Sequence, residues 1–290
     1  MPLLDAPVLS NPRAERVRAV RALTGRSARQ RHGRFLAEGP QAVREAVAAG
    51  AALELYATPE AADRYPRIVH DAPKAWTVTE EVLAAMSDTV TPQGLVAVCP
   101  TTTADLDDVL TARPRLVAVL DRVRDPGNAG TVLRAADAAG ADAVVLTAGS
   151  VDVFNPKCVR STAGSLFHLP VVVGRSLQDV VEGLQRNGST VLAADGAGDL
   201  DLDDLADEAA RGQVQRVDLR RRTAWVFGNE AAGLEDAGRS LADAVVRVPL
   251  HGRAESLNLA TAAVVCLYAS ARAHRAEGPV RPTGHDSPTR

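Results

Sequence analysis

The sequence predicts an α/β protein, with a parallel sheet in its C-terminal part and a smaller α/β unit before it. Two observations carry that expectation. Short, continuously apolar runs such as Leu116–Leu120 and Ala143–Leu146 read as strands covered on both faces, as in a parallel sheet. Segments of helical length alternate with them, as βαβ crossovers require. The chain of 290 residues is long enough for two domains, and with 46% hydrophobic but only 3% aromatic residues its core must be aliphatic.

Residues 11–34 are a basic exception in a chain of formal net charge −3. They hold Arg13, Arg16, Arg18, Arg21, Arg26, Arg29, Arg31 and Arg34 against Glu15 alone. Val17, Val20 and Leu23 recur at helical spacing, and Pro12 suits a helix start. The pattern predicts a basic amphipathic helix, which either tracks a phosphate backbone or presents a solvated face. Residues 34–37, 53–57, 75–78 and 95–98 then read as strands, and 40–49 and 79–86 as helices. Residues 87–94 are a turn-rich loop. The expected division is a first unit at 1–105, a linker at 106–114 that could hold one helical turn, a main domain at 115–275 and a disordered tail at 276–290.

Within the main domain, strands are expected at 116–120, 143–146, 170–173, 190–194, 224–227 and 245–248. Helices are expected at 129–139, 155–163 and 176–186, the first of them ended by Gly140. Residues 195–208 are acidic. A calcium loop counted from Asp201 would need glycine at Ala206 and glutamate at Gly212, so a solvated insertion is expected instead. Cys99, Cys158 and Cys266 are far apart and form no zinc motif, so no metal is expected and a reducing compartment fits. No signal peptide is visible, and the longest apolar run, 259–269, is too short to span a bilayer. The expectation is a cytoplasmic protein that meets no membrane.

Three segments that leave strands carry the chemistry. The first runs from Asp121 through Asn128 to Arg134. The second runs from Phe227 through Gly228-Asn229-Glu230 to Leu234. The third is Pro249-Leu250-His251-Gly252 followed by Ser256-Leu257-Asn258, where Ser256 suits an N-cap and Asn258 the first helical turn. In an open α/β sheet, ligands sit beyond the carboxyl ends of the strands. Neither a dinucleotide GxGxxG opening a helix nor a P-loop is present, which weakens a nicotinamide oxidoreductase as an alternative.

Together these segments resemble the three motifs of the SpoU (TrmH-type) RNA ribose methyltransferases of the SPOUT superfamily. The resemblance covers about residues 116–273. It implies S-adenosyl-L-methionine as methyl donor, a deep C-terminal trefoil knot and a homodimer. Phe35-Leu36-Ala37-Glu38-Gly39 and Thr91-Pro92-Gln93-Gly94 resemble, more loosely, the ribosomal-protein-like domain that binds RNA in such enzymes. By this resemblance Arg134 is the central catalytic residue, with Asn128, Glu230, Ser256 and Asn258. Gly228, Val248 and Leu257 match donor-contacting positions, with Ala194 and Leu250 as neighbours. Arg13, Arg16, Arg18 and Arg21 are the candidate RNA contacts. The expected activity is methylation of a ribose 2′-OH in ribosomal RNA. The alternatives are a tRNA methyltransferase, or a non-catalytic RNA-binding protein on a degenerate knot. A guanidinium holds its proton, so Arg134 is expected to orient RNA phosphate and stabilise a developing alkoxide.

Overall fold

The first strand after the arginine-rich segment pairs with the last strand before residue 106, and this closes a small sheet. A computed structural model describes residues 8–230 and 233–276. In chain order the first unit holds α1 (Glu15–Ala22), α2 (Arg26–His32), β1 (Arg34–Glu38), α3 (Pro40–Ala48), β2 (Glu54–Ala57), α4 (Pro59–Arg64), α5 (Pro66–Asp71), β3 (Ala75–Thr77), α6 (Glu80–Met86) and β4 (Leu95–Pro100). Its strand order is β1-β4-β2-β3. The rest holds α7 (Leu106–Thr111), β5 (Leu116–Leu120), α8 (Pro126–Ala139), β6 (Ala143–Leu146), α9 (Pro156–Thr162), β7 (Val171–Val173), α10 (Leu177–Arg186), β8 (Thr190–Ala194), β9 (Leu200–Asp201), α11 (Leu202–Arg211), β10 (Thr223–Phe227), α12 (Asp236–Leu241), β11 (Ala244–Arg247) and α13 (Leu259–Ala276).

The second sheet has the order β7-β6-β5-β10-β8-β11-β9, and every pairing in it is parallel. All five residues of β5 and of β10 are buried, as expected for central strands covered on both faces. Trp225 on β10 donates its indole N–H to Ser270 Oγ of α13 at 2.9 Å, which satisfies both buried polar groups. α13 thus lies across β10 and also packs on α8.

The two units share one hydrophobic core. Phe35, Leu55 and Leu95 of the first unit belong to the same buried cluster as Leu116, Leu146 and Leu192. The Phe35 ring meets Phe154 at 4.8 Å and stacks near Phe167 at 6.1 Å between centroids. Arg29, 3% exposed, is held by Asp152 at 2.7 and 3.0 Å and donates to the carbonyls of Leu23 and Thr24. Arg160 reaches Glu38 and Asp88, and His168 bridges Glu45 and Asp137. All of these ion pairs except His168–Asp137 join the two units.

Four expectations change. Residues 11–34 form two helices, not one from Pro12. The first begins at Glu15, and the extended Gly25 N-caps the second. Val17, Val20 and Leu23 are nonetheless the buried positions. The segment 106–114 holds α7, whose Leu106 and Val109 are buried against the second sheet. α4 and α5 were not expected at all; each begins with a proline at its first position, and Thr58 caps α4. The acidic segment is not a solvated insertion. It forms β9 and α11, with Leu202, Leu205 and Ala209 buried and α11 packed on α13. Its acids serve the helix start: Asp201 caps through Asp203 N–H, and Asp203 and Asp204 favour the positive end of the dipole. The tail expected at 276–290 starts inside α13, which includes Ala276, and its remainder, 277–290, lies outside the described residues.

Truncating the buried face of α11 tests this correction. Leu205→Ala should lower the unfolding free energy by about 3 kcal/mol through the cavity it leaves. The exposed Asp204→Asn should change it by about 0.5 kcal/mol or less. Urea unfolding compares the two. Coincident midpoints for Leu205→Ala and wild type would return the segment to the solvated class.

Candidate active site at the carboxyl ends of the sheet

Four neighbouring parallel strands, β5, β10, β8 and β11, end on one rim, where loops can converge on a ligand. The loop after β5 is fixed first. Asp121, 4% exposed, accepts a hydrogen bond from Thr147 Oγ1 at 2.7 Å, and its N–H donates to Phe227 O at 2.8 Å. Arg122 follows in the left-handed region at φ 51°, a strained conformation for a residue with a Cβ. Its N–H donates to Thr147 Oγ1 at 3.1 Å, and its carbonyl accepts from Asn229 Nδ2 at 2.9 Å. Its guanidinium pairs with Glu235 at 2.6 Å. Asp125 then N-caps α8 by accepting from Asn128 N–H at 2.8 Å. A hydrogen bond from Lys157, at 3.0 Å, is the largest influence holding the Asp125 carboxyl below the usual range.

Glu230 collects the loops. Its carboxylate accepts from the amides of Arg124 at 3.2 Å and Asp125 at 3.0 Å, and from Asn128 Nδ2 at 3.3 Å. Asn128 Oδ1 in turn accepts from Asn258 Nδ2 at 3.1 Å. One chain of side chains, Asn258 to Asn128 to Glu230, therefore crosses all three segments. Partial burial pushes the Glu230 carboxyl upward, but the converging N–H donors outweigh it and leave the group below its ordinary 4.5. So held, Glu230 is a fixed anion that orients the loop.

Asn258, not Ser256, caps the long helix. Its Oδ1 accepts from Ala260 N–H at 2.9 Å and Thr261 N–H at 3.4 Å, and α13 starts at Leu259. Asparagine caps as well as serine, and the apolar run begins one residue after it. Ser256 lies exposed on the preceding loop. Arg134 is exposed on α8, six residues beyond Asn128 and so about 9 Å along the axis. It makes no ion pair among the described residues, which leaves its guanidinium available to a ligand.

The candidate donor positions lie on the same rim. Ala194 pairs with Phe227 on one side and Val246 on the other, so Gly228, Ala194 and Val248 sit around adjacent strand ends. Gly228 turns against Gly233 and Leu234 so closely that any Cβ would strike their backbone. Ala194 and Val248 pack partly buried on the core, Leu257 is half-buried, and Leu250 is 41% exposed on the loop beyond β11. Small and apolar side chains around exposed strand ends suit an adenosine read by backbone groups. Of the four candidate RNA arginines, two serve the fold. Arg16 lies 4.1 Å over the Trp76 ring and pairs with Glu54 at 3.3 Å, and Arg21 donates to Ala85 O at 3.0 Å. Arg13 and Arg18 are exposed, with side chains unpaired among the described residues. Sequence reasoning did not single out Asp121, Arg122, Thr147, Asn229 or Lys157 as site residues; only the position of Thr147 just after a strand hinted at a role.

The profile of the SpoU rRNA Methylase family matches residues 115–268, more than half of the chain. The chain belongs to the SpoU rRNA methylase family. The profile of the MRM3-like substrate binding domain matches residues 14–97. The chain is 34% identical to the 23S rRNA (guanosine(2553)-2′-O)-methyltransferase RlmP of Bacillus subtilis (strain 168), over 90% of this chain and 97% of that protein. It is 32% identical to the 23S rRNA (uridine(2479)-2′-O)-methyltransferase of Streptomyces viridochromogenes, over 91% and 96%. A crystal structure of an AdoMet-bound rRNA methyltransferase from Sinorhizobium meliloti superposes with a TM-score of 0.77 at 30% identity, over 92% of this chain and 97% of that one.

In this SpoU chain the Glu230 carboxylate should titrate below 4.5. A depressed pKa means that its stabilisation of the loop is present above the unfolded value and is lost as pH falls through the folded one. Carbon-detected NMR titration measures the midpoint. Asn128→Ala, which removes one donor, should raise it. A wild-type midpoint at or above 4.5 would refute the account of Glu230 as a fixed anion.

Proposed function

We propose that this chain transfers a methyl group from S-adenosylmethionine to a ribose 2′-OH of ribosomal RNA. The observation that carries this reading is the Asn258–Asn128–Glu230 chain, which draws the three family segments to one point. Bound at Gly228, Ala194, Val248, Leu250 and Leu257, the donor would supply a methyl on a sulfonium centre, open to in-line attack. The protein's own residues position the hydroxyl. Arg134 stays protonated, holds an RNA phosphate and stabilises charge as it develops on the 2′-oxygen. Glu230 and Asn128 keep α8, and so Arg134, in register with the strand ends. Ser256 and Asn258 flank the acceptor. Three N–H donors already engage the Glu230 carboxylate, so its role in this reading is to fix the loop.

Further parts of the reading have their own support. We assign residues 1–105 to RNA binding, 106–114 to the connection and 115–275 to chemistry; of the four candidate arginines, Arg13 and Arg18 are free to meet phosphate. Ribosomal RNA is favoured over tRNA because the relatives named above act on 23S rRNA. A trefoil knot accords with membership of the SpoU family and is our reading of the region where residues 198–201 pack beside β11. Gly198 presses on the backbone of Val245–Arg247 so closely that a Cβ would not fit, and Arg247 Nη1 donates to Gly198 O at 3.1 Å. A homodimer fits α13, where Val264, Val265 and Tyr268 are 37%, 38% and 47% exposed on one stretch of helix. A cytoplasmic location fits three free, buried cysteines; among the described residues no helix is long and apolar enough to cross a membrane.

The direct test is incubation of 23S rRNA and tRNA transcripts with tritiated donor, followed by mapping of 2′-O-methyl sites. Label in ribose of 23S rRNA is expected; label in tRNA alone would overturn the ribosomal assignment. Arg134→Ala should lower the single-turnover rate by about two to three orders of magnitude with donor binding intact. Arg134→Lys should fail nearly as badly, since an ammonium cannot replace a planar fork. A wild-type rate in Arg134→Ala would make Arg134 structural. Light scattering tests the dimer: Val265→Glu should yield monomers at concentrations where wild type is dimeric, and a monomeric wild type would end that assignment.

A further inference from the structure

We infer that the cleft between α2 and the ends of β6 and β7 is a second nucleotide site, which seats an unpaired nucleotide of the RNA substrate; the inference rests on the RNA reading above. The cleft encloses about 360 Å³, within the range of about 300–1,000 Å³ typical of small-ligand pockets. Its floor is apolar, formed by Leu146 and Phe154. One wall is α2, where Arg26 and Gln30 sit at i and i+4 and so line the same flank. Thr101 and Thr103, on the chain leaving β4, supply hydroxyls on the rim.

The free polar groups have a common character. Arg29 also reaches the cleft, but Asp152 and two carbonyls engage its guanidinium. The other oxygen of Asp152 accepts from Phe154 N–H at 3.0 Å. This buried pair locks α2 above the loop and leaves no unengaged carboxylate in the cleft. The side chains of Arg26, Gln30, Thr101 and Thr103 make no hydrogen bond or ion pair among the described residues. A cation with a planar face, an amide and hydroxyls around an apolar floor match a base with its phosphate. Unstacked RNA bases are recognised in this way, against aromatic or arginine planes and through their edges.

Location favours RNA over a free nucleotide. The loop after β6 is bonded to the loop after β5: Val151 N–H donates to Val123 O at 2.8 Å, and Thr147 holds Asp121 and Arg122. The cleft thus opens on the same rim as the Glu230 site, and its other wall belongs to the arginine-rich unit. A strand of RNA that touches both units passes it.

Two full-length variants test the site. Val173→Trp, at an exposed position lining the cleft, fills it; Arg26→Ala with Gln30→Ala strips its wall. Filter binding of a 23S rRNA transcript should weaken by about tenfold in both, the scale of one lost stacked base. Donor affinity by calorimetry should not change. A transcript carrying 4-thiouridine should crosslink to residues 147–154 in wild type and not in Val173→Trp. Wild-type RNA affinity in both variants, or no crosslink to the cleft in wild type, would overturn the site. Saturable binding of uridine monophosphate, with RNA affinity unaffected by either variant, would reassign it to a free nucleotide and overturn the inference equally. Binding and crosslinking need no methyl transfer, so a protein that binds rRNA through the cleft but labels none would sink the functional reading and leave this one standing.

Discussion

A carboxylate that accepts three N–H donors determines where the loops of this site can lie. Glu230 lies in the loop after β10, yet its carboxylate accepts three bonds from the segment after β5. These bonds lie at the exposed rim, and their effect comes from three donors converging on one charged acceptor, since hydrogen bonds to a charged group are stronger than neutral ones. The arrangement depends in turn on β5 and β10 lying side by side in register, Leu120 beside Phe227, so that their exits meet. Sheet pairing sets the separation of the loops, and Glu230 converts that separation into a fixed position for α8. The strained Arg122 is one consequence. Thr147, Asn229 and Glu235 hold it from three sides, so the strain persists only because the neighbouring loops define the turn.

The parallel sheet was legible because its strands are covered on both faces and read as unbroken apolar runs. Where burial is one-sided and the other face is charged, the pattern was harder to see. In α11 the positions 202, 205 and 209 carry Leu, Leu and Ala at helical spacing, but seven acids between 195 and 208 drew attention to charge. α4 and α5 are six residues each, too short for periodicity, and only their leading prolines marked them. Asn128, Glu230 and Asn258 were legible through their motifs. Their mutual bonds were not, since the partners lie more than a hundred residues apart. The contact of Thr147 with Asp121 was hidden for the same reason. Asp121 opens the first motif segment but Thr147 belongs to none, and the bond between them exists only once β5 and β6 are adjacent.

Charge in the leading segment also divides along physical lines. Arg16, Arg21 and Arg29 each find a protein partner, and Arg29 is nearly sealed from solvent. A buried guanidinium is tolerated only with its hydrogen bonds filled, and here a carboxylate and two carbonyls fill them. Net charge of a segment therefore overstates its capacity for phosphate; the relevant quantity is the number of arginines that the fold leaves unengaged.

The common core of the two units bears on how enzymes of this build can diversify. Phe35 between Phe154 and Phe167, Arg29 on Asp152 and Arg160 on Glu38 make the seam a packed interior and not a tether. The leading unit is therefore not an interchangeable adaptor. A leading unit grafted from another protein would have to bring, or rebuild, the matching surface of α9 and the turn after it. Recombination at residue 105 alone would expose two halves of one interior to water. Divergence is left to proceed by substitution along the outer face of the leading unit, with the span between that unit and the Glu230 rim inherited unchanged, as the fixed jaw of a caliper is.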